Sequence, residues 1–140
     1  MKIRDHLNAG STNGQALVEF ALVVPILILL IIGLFDLGWA VYADNMVSNA
    51  AREGTRAGVI VTKTDADIRT RVKNTAVGLN LSDGQIQIQP SPNRTFGTPI
   101  TVTVVYSYTP LTPLIGRMFP SGRLILQSRS AMMVEGVLSP

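Results

Sequence analysis

From Phe20 to Phe35 no side chain carries a charge, and the run is closed by Glu19 on one side and Asp36 on the other. A segment that is apolar all round has no polar face to present to water, so it is suited to lipid. The run is slightly short for a full crossing. The following "DLGWAVYA" carries the apolar character to Ala43, with Asp36 as the exception. Trp39 and Tyr42 lie past the run, where an interfacial aromatic belt is expected. Pro25 removes a backbone bond to the carbonyl of Ala21 and predicts a kink or local loosening, and Gly33 and Gly38 add flexibility. Glu19 is the harder residue to explain. A carboxylate is disfavoured by about 2.5–3.5 kcal/mol at the membrane centre and by less near the interface, so a plain anchor has no use for it.

The rest of the composition narrows the function by exclusion. The chain has 140 residues, enough for one small domain plus one membrane segment. Hydrophobic residues make up 46% and charged residues only 15%, with most of the apolar excess before residue 62. The net charge of +3 comes from scattered residues. With no basic block, a nucleic-acid partner is not supported. Cysteine is absent, which excludes a disulfide framework and a thiolate nucleophile. The single histidine, His6, lies before the apolar run, so no Ser-His-Asp set can be built after it. No glycine-rich phosphate loop is present. Glu19 and Asp36 are roughly 25 Å apart on a helix and cannot act as a carboxylate pair. Asp65 and Asp67 are compatible with a hard cation, but capping a helix explains them better. The chain therefore reads as a non-enzyme with no cofactor and no metal.

Along the chain, residues 1–14 ("MKIRDHLNAGSTNG") are polar, slightly basic and without apolar periodicity, and predict a flexible leader. Residues 15 to about 60 predict one long helix. After Tyr42, Ala43, Val47, Ala50, Gly54, Ala57 and Val61 recur at spacings of four and three, a single stripe of mostly small residues. Such a stripe lets another layer approach the helix axis, and the simplest partner is a sheet formed by the rest of the chain. Gly54, Ala57 and Gly58 are accordingly helix-packing residues. Thr64 and Asp67 resemble a capping box, followed by a short amphipathic helix with Ile68, Val72, Ala76 and Leu79 on one face. "SDGQIQIQP", "PITVTVVYSYT" and "RLILQSRSAMMVEG" predict three strands. The expected fold is α+β: a long N-terminal helix, a short second helix, and a three-stranded antiparallel sheet packed on the C-terminal half of the long helix. The expected divisions are 1–14 leader, 15–43 membrane and assembly helix, and 44–140 external domain. Within the domain, "PLTPLIGRMFPSG" holds Leu111, Leu114, Ile115 and Phe119, more large apolar side chains than a solvated loop carries. They predict either a partner or membrane contact or a cover over one face of the sheet.

The order of the N-terminal features is wrong for a secretory signal, because the small residues precede the apolar run instead of following it. "GQALVEF" instead looks like the processing motif of type IV prepilins, with Gly14 as the last leader residue, Gln15 as the new N-terminus, and Glu19 followed by Phe20. The stretches "NAAREGTRAGV", "VTVVYSYTPLTPLIG" and "LQSRSAMMVE" extend the likeness, and the chain resembles the TadE-like pseudopilins of Flp/Tad pilus systems over nearly all of its length after residue 14. The resemblance implies cleavage by a prepilin peptidase, pairing of the Glu19 carboxylate with a neighbour's Gln15 amine, and assembly with other pilin subunits at an inner-membrane platform. It implies a single-pass protein of the cytoplasmic membrane with its C-terminal domain outside, reaching the cell surface in a pilus. Major subunits of Flp type are little more than the helix, so the added domain points to a minor or priming subunit. The alternative is a permanently anchored bitopic protein whose external α+β domain binds a partner or ligand.

Overall fold

A computed structural model of the chain describes residues 9–135; the first residues of the leader, with His6, and the Leu114 side chain lie outside the described residues. The dominant element is one helix of 50 residues, α1 (Ala9–Gly58), about 75 Å long. It begins earlier than the leader reading allowed. Ala9 to Gly14 continue the helix because, once the apolar segment has nucleated it, each further residue adds one bond at little entropic cost, and no proline interrupts here. It ends at Gly58, so the small-residue stripe stops one turn sooner than expected and Val61 is exposed.

The second helix, α2 (Asp65–Thr75), starts at the Thr64–Asp67 capping box. Thr64 Oγ1 accepts from the Asp67 N–H at 3.2 Å, and Asp67 Oδ2 accepts from the Thr64 N–H at 2.9 Å. These hydrogen bonds to Thr64 hold the Asp67 carboxyl below its ordinary pKa. Ile68, Val72, Ala76 and Leu79 are all buried. Gly78 then turns the chain with φ of +81°, in the left-handed region glycine enters without steric penalty. A 3-10 turn (Asp83–Gln85) leads into β1 (Ile86–Gln89). Gln85 Oε1 reaches back to the Ser82 N–H at 2.8 Å, a serine–glutamine start signal that "SDGQ" carries in the sequence.

Strands β2 (Pro99–Tyr108) and β3 (Leu124–Met133) complete an antiparallel sheet in the order β1-β2-β3. The register pairs Ile88 with Val102 and Val104 with Ser128. Ile86, Ile88, Ile100, Val102 and Val104 form the buried face of the sheet, against Ala43, Val47, Ala50 and Ala51 of α1 and the apolar side of α2. The fold is thus α+β in two layers, with α1 and α2 on one face of the sheet. Thr55 is buried in this interface, and its Oγ1 donates within the helix to Ala51 O at 2.8 Å and across to Ser130 O of β3 at 3.2 Å. Beyond β3, the Glu135 N–H donates to Val59 O at 3.1 Å, returning the chain to the end of α1. A salt bridge of 2.6 Å joins Arg71 to Glu53 across the helices, but both groups are solvated and the pair adds little.

Two glycines set the distance between the layers. A Cβ at Gly54 would overlap Val72 Cγ2 and lie 3.2 Å from Val102 Cγ1; at Gly58 it would overlap Ile100 Cδ1. Valine is stiff at χ1, so the neighbours of Gly54 cannot swing aside. Gly54→Ala should therefore lower stability by up to about 2 kcal/mol, the overpacking cost less the helix-propensity gain, and Gly54→Val by more. Gly38, with nothing within 4 Å of its Cβ position, is the control. Gly38→Ala should be neutral or stabilising by about 0.5–1 kcal/mol. Thermal unfolding of the purified chain in detergent checks both.

Candidate functional site

Three regions of α1 carry the candidate residues, and each has a different environment. The first is the N-terminal end. Gly14, Gln15, Glu19 and Phe20 are all exposed. Gln15 and Glu19 are one turn apart on the same side of the helix, with Val18 and Leu22 beside them. No ion pair forms with Glu19 among the described residues. The apolar window of the helix is long enough to cross a membrane and is 0% buried by the rest of the chain. Its surface is left to lipid or to other subunits.

The second region is Asp36. Its side chain is 2% exposed, though it sits at the end of the apolar run. The carboxylate is held by the far end of the sheet. Tyr108 Oη donates to Oδ1 at 2.6 Å, the Leu111 N–H donates to Oδ1 at 2.8 Å, and the Thr112 N–H donates to Oδ2 at 2.7 Å. Charge-assisted bonds of this kind are about twice as strong as neutral ones. Together they fasten the end of β2 and the following loop to the helix. The buried contacts of the domain on α1 accordingly begin at Asp36. Ala43, grouped with the membrane segment by its apolar character, is fully buried in the domain core. Sequence reasoning missed this role and saw Asp36 only as an exception in an apolar tail. Its one available signal was "YTPLT", where a tyrosine and two N–H donors stand next to a proline.

Around Asp36 lies the third region, the base of the domain. Trp39 and Tyr42 pack in a tilted pair with ring centroids 5.4 Å apart, and Tyr42 Oη donates to Val77 O at 2.9 Å. On another side, the stretch expected to be an irregular loop contains a turn of helix, α3 (Pro113–Gly116). Proline at its first position and the i→i+4 bonds of Gly116 and Arg117 account for the turn. Leu111 is 75% exposed and Met118 78%, while Ile115 and Phe119 are half-buried. Ile115 Cδ1 lies 3.9 Å from the Cβ position of Gly33, inside the apolar run. The packing residues stand apart from all of these, in the upper domain: Gly54 and Gly58 buried, Ala57 half-buried.

The clamp predicts both a stability loss and a pH effect. Asp36→Ala leaves three donors without their acceptor and should reduce stability by about 2–4 kcal/mol. Tyr108→Phe removes one of the three bonds and should lose about 1–2 kcal/mol, with the double variant less than additive in thermal unfolding. Burial, reinforced by Asp36, pushes the Tyr108 phenol up to about 12 from 10. A raised folded-state pKa contributes stability that is complete below pH 10 and lost as pH rises toward 12. Unfolding midpoints across that window should fall for the parent chain and fall less for Tyr108→Phe.

The described residues bring together an exposed carboxylate at one end of an apolar helix, a structural carboxylate near its midpoint, and a small-residue packing face above. The model of one protein family, described as TadE-like protein, matches residues 14–56. No curated protein and no solved structure matches the chain. The matched segment runs from Gly14 through Glu19 and Asp36 to Arg56, just short of the end of α1. Over that helix the chain is similar to the TadE-like proteins, and among the described residues this one helix is long and apolar enough to anchor it in a membrane.

Proposed function

We propose that this chain is a structural, non-enzymatic subunit of a Tad/Flp-type pilus. It is made as a precursor in the cytoplasmic membrane, cut after Gly14 by a prepilin peptidase, and assembled through α1. The carrying observation is the family match that begins at Gly14, on a helix whose apolar surface is uncovered and whose Gln15 and Glu19 share one side. Cleavage turns the Gln15 amide nitrogen into a free amine. Between packed helices, with little water, that amine and the Glu19 carboxylate of a neighbour offset each other's desolvation, which neither charge bears alone. The carboxylate therefore favours the assembled state over the isolated subunit. Residues 1–14 serve as the leader on the cytoplasmic side, and the domain faces outward. A folded unit of this size beside the helix suits a minor or priming subunit, delivered to an inner-membrane platform with other pilins.

Two substitutions separate processing from assembly. Gly14→Leu places a bulky side chain at the scissile bond and should leave the chain uncut, with its leader retained on N-terminal sequencing. Glu19→Gln should be cut and inserted as before but accumulate in the membrane as a processed subunit. Its neighbour's amine would be buried without a counter-charge, a loss of about 3–5 kcal/mol where water is excluded. Normal entry of Glu19→Gln into pili would sink the pairing mechanism.

A further inference from the structure

The base of the domain reaches below the end of the membrane segment. If the crossing runs from Gln15 to Phe35, it is about 31 Å long, close to the thickness of the hydrocarbon. Asp36 then marks the outer boundary. A mostly apolar groove lies between α1 and the loop after β2, lined by Pro25, Ile28, Leu29 and Ile32 on the helix and by Leu111, Thr112 and Pro113 on the loop. Those helix residues stand about 6 to 16 Å from Asp36 along the axis, on the membrane side of it. A loop packed beside them lies at hydrocarbon depth.

The chemistry of the loop agrees with its depth. Backbone in lipid needs its polar groups satisfied within the protein. The N–H groups of Leu111 and Thr112 go to Asp36. Those of Gly116, Arg117, Met118 and Phe119 go to carbonyls within the loop, Pro110, Pro113 and Pro120 have none to satisfy, and the Ile115 N–H in the first turn of α3 is left without a backbone acceptor among the described residues. Among the described residues, the large hydrophobic side chains it exposes are Leu111 and Met118. Arg117 is exposed, with a stem long enough to carry its guanidinium back to the headgroups. We infer that residues 111–119 are a second membrane contact, inserted into the outer leaflet beside α1, with lipid acyl chains filling the groove. The Asp36 clamp sets the insertion, because it holds the loop to the helix at the boundary. Two attachments at different points fix the tilt and rotation of the domain over the membrane, which a single helix leaves free. The inference rests on the membrane crossing and holds with or without pilus assembly.

The chain has no cysteine, so single-site labelling is clean. The full-length protein carrying Leu111→Cys or Met118→Cys is labelled with an environment-sensitive fluorophore. It is reconstituted at high lipid excess in phosphatidylcholine vesicles with a minority of phosphatidylglycerol. Leu30→Cys in the crossing and Gln87→Cys on the outer face of the sheet are the references. The expected result is quenching of the Leu111 label by lipids with an acyl-chain spin label, several-fold above that at Gln87 and comparable with Leu30, together with protection from aqueous iodide. Iodide quenching of the Leu111 and Met118 labels equal to that at Gln87 would overturn the inference by placing the loop in water. Protection from iodide without quenching by spin-labelled lipid, growing with the protein-to-lipid ratio, would overturn it in favour of a contact with another subunit. A Leu30 label reached by iodide would remove the crossing itself and the inference with it.

Discussion

One buried carboxylate joins the two halves of this molecule. The α1 helix leaves its apolar segment at Phe35, and the next residue, Asp36, accepts three hydrogen bonds from the end of β2 and the loop beyond it. Without that attachment, the sheet would be held to the helix by packing higher up, from Ala43 to Gly58, and by the Thr55–Ser130 hydrogen bond. With it, the base of the domain is anchored where the apolar run ends. A carboxylate here is tolerable because its three donors replace the water it gives up, and because the apolar run ends just before it.

The helix serves two solvents in succession, and its composition changes accordingly. In the lower part, large aliphatic side chains cover the whole surface, and the rest of the chain buries none of that window. In the upper part, Ala43, Val47, Ala50, Ala51, Gly54 and Gly58 bring the axis close to the sheet and to α2. Ordinary aliphatic residues there would hold the layers apart; a Cβ added at Gly54 would overlap Val72 Cγ2, which shows how little room remains. The domain is thus built around the upper part of a helix whose lower part it leaves largely uncovered.

Much of this was legible in the sequence because the signals were local. The capping box at Thr64, the spacing of Ile68 and Val72, and the alternation from Ile100 to Val104 each depend on neighbours a few residues away. The small-residue stripe was legible for the same reason, though its end was misplaced. Gly58 terminates the helix, so Val61 never comes round to the core face. The clamp was not legible. Its donors lie more than seventy residues from Asp36, and nothing local marks that separation. The turn of α3 was hidden for a related reason: three prolines between residues 110 and 120 read as an irregular loop, although proline is well suited to the first position of a helix. The helical start at Ala9 also escaped, because the polar residues before Gly14 show no periodicity and are carried into the helix by the segment that follows. Gly14 and Glu19 carry no structural signature at all; only their spacing relative to the apolar run distinguishes them.

The account as a whole depends on what becomes of the residues before Gln15. The direct measurement is the N-terminus and intact mass of the protein recovered from sheared surface filaments, compared with that in the membrane fraction. The account predicts a single species running from Gln15 to Pro140 in the filaments, with the longer precursor confined to the membrane. A protein absent from the filaments and still beginning at Met1 in the membrane would contradict it.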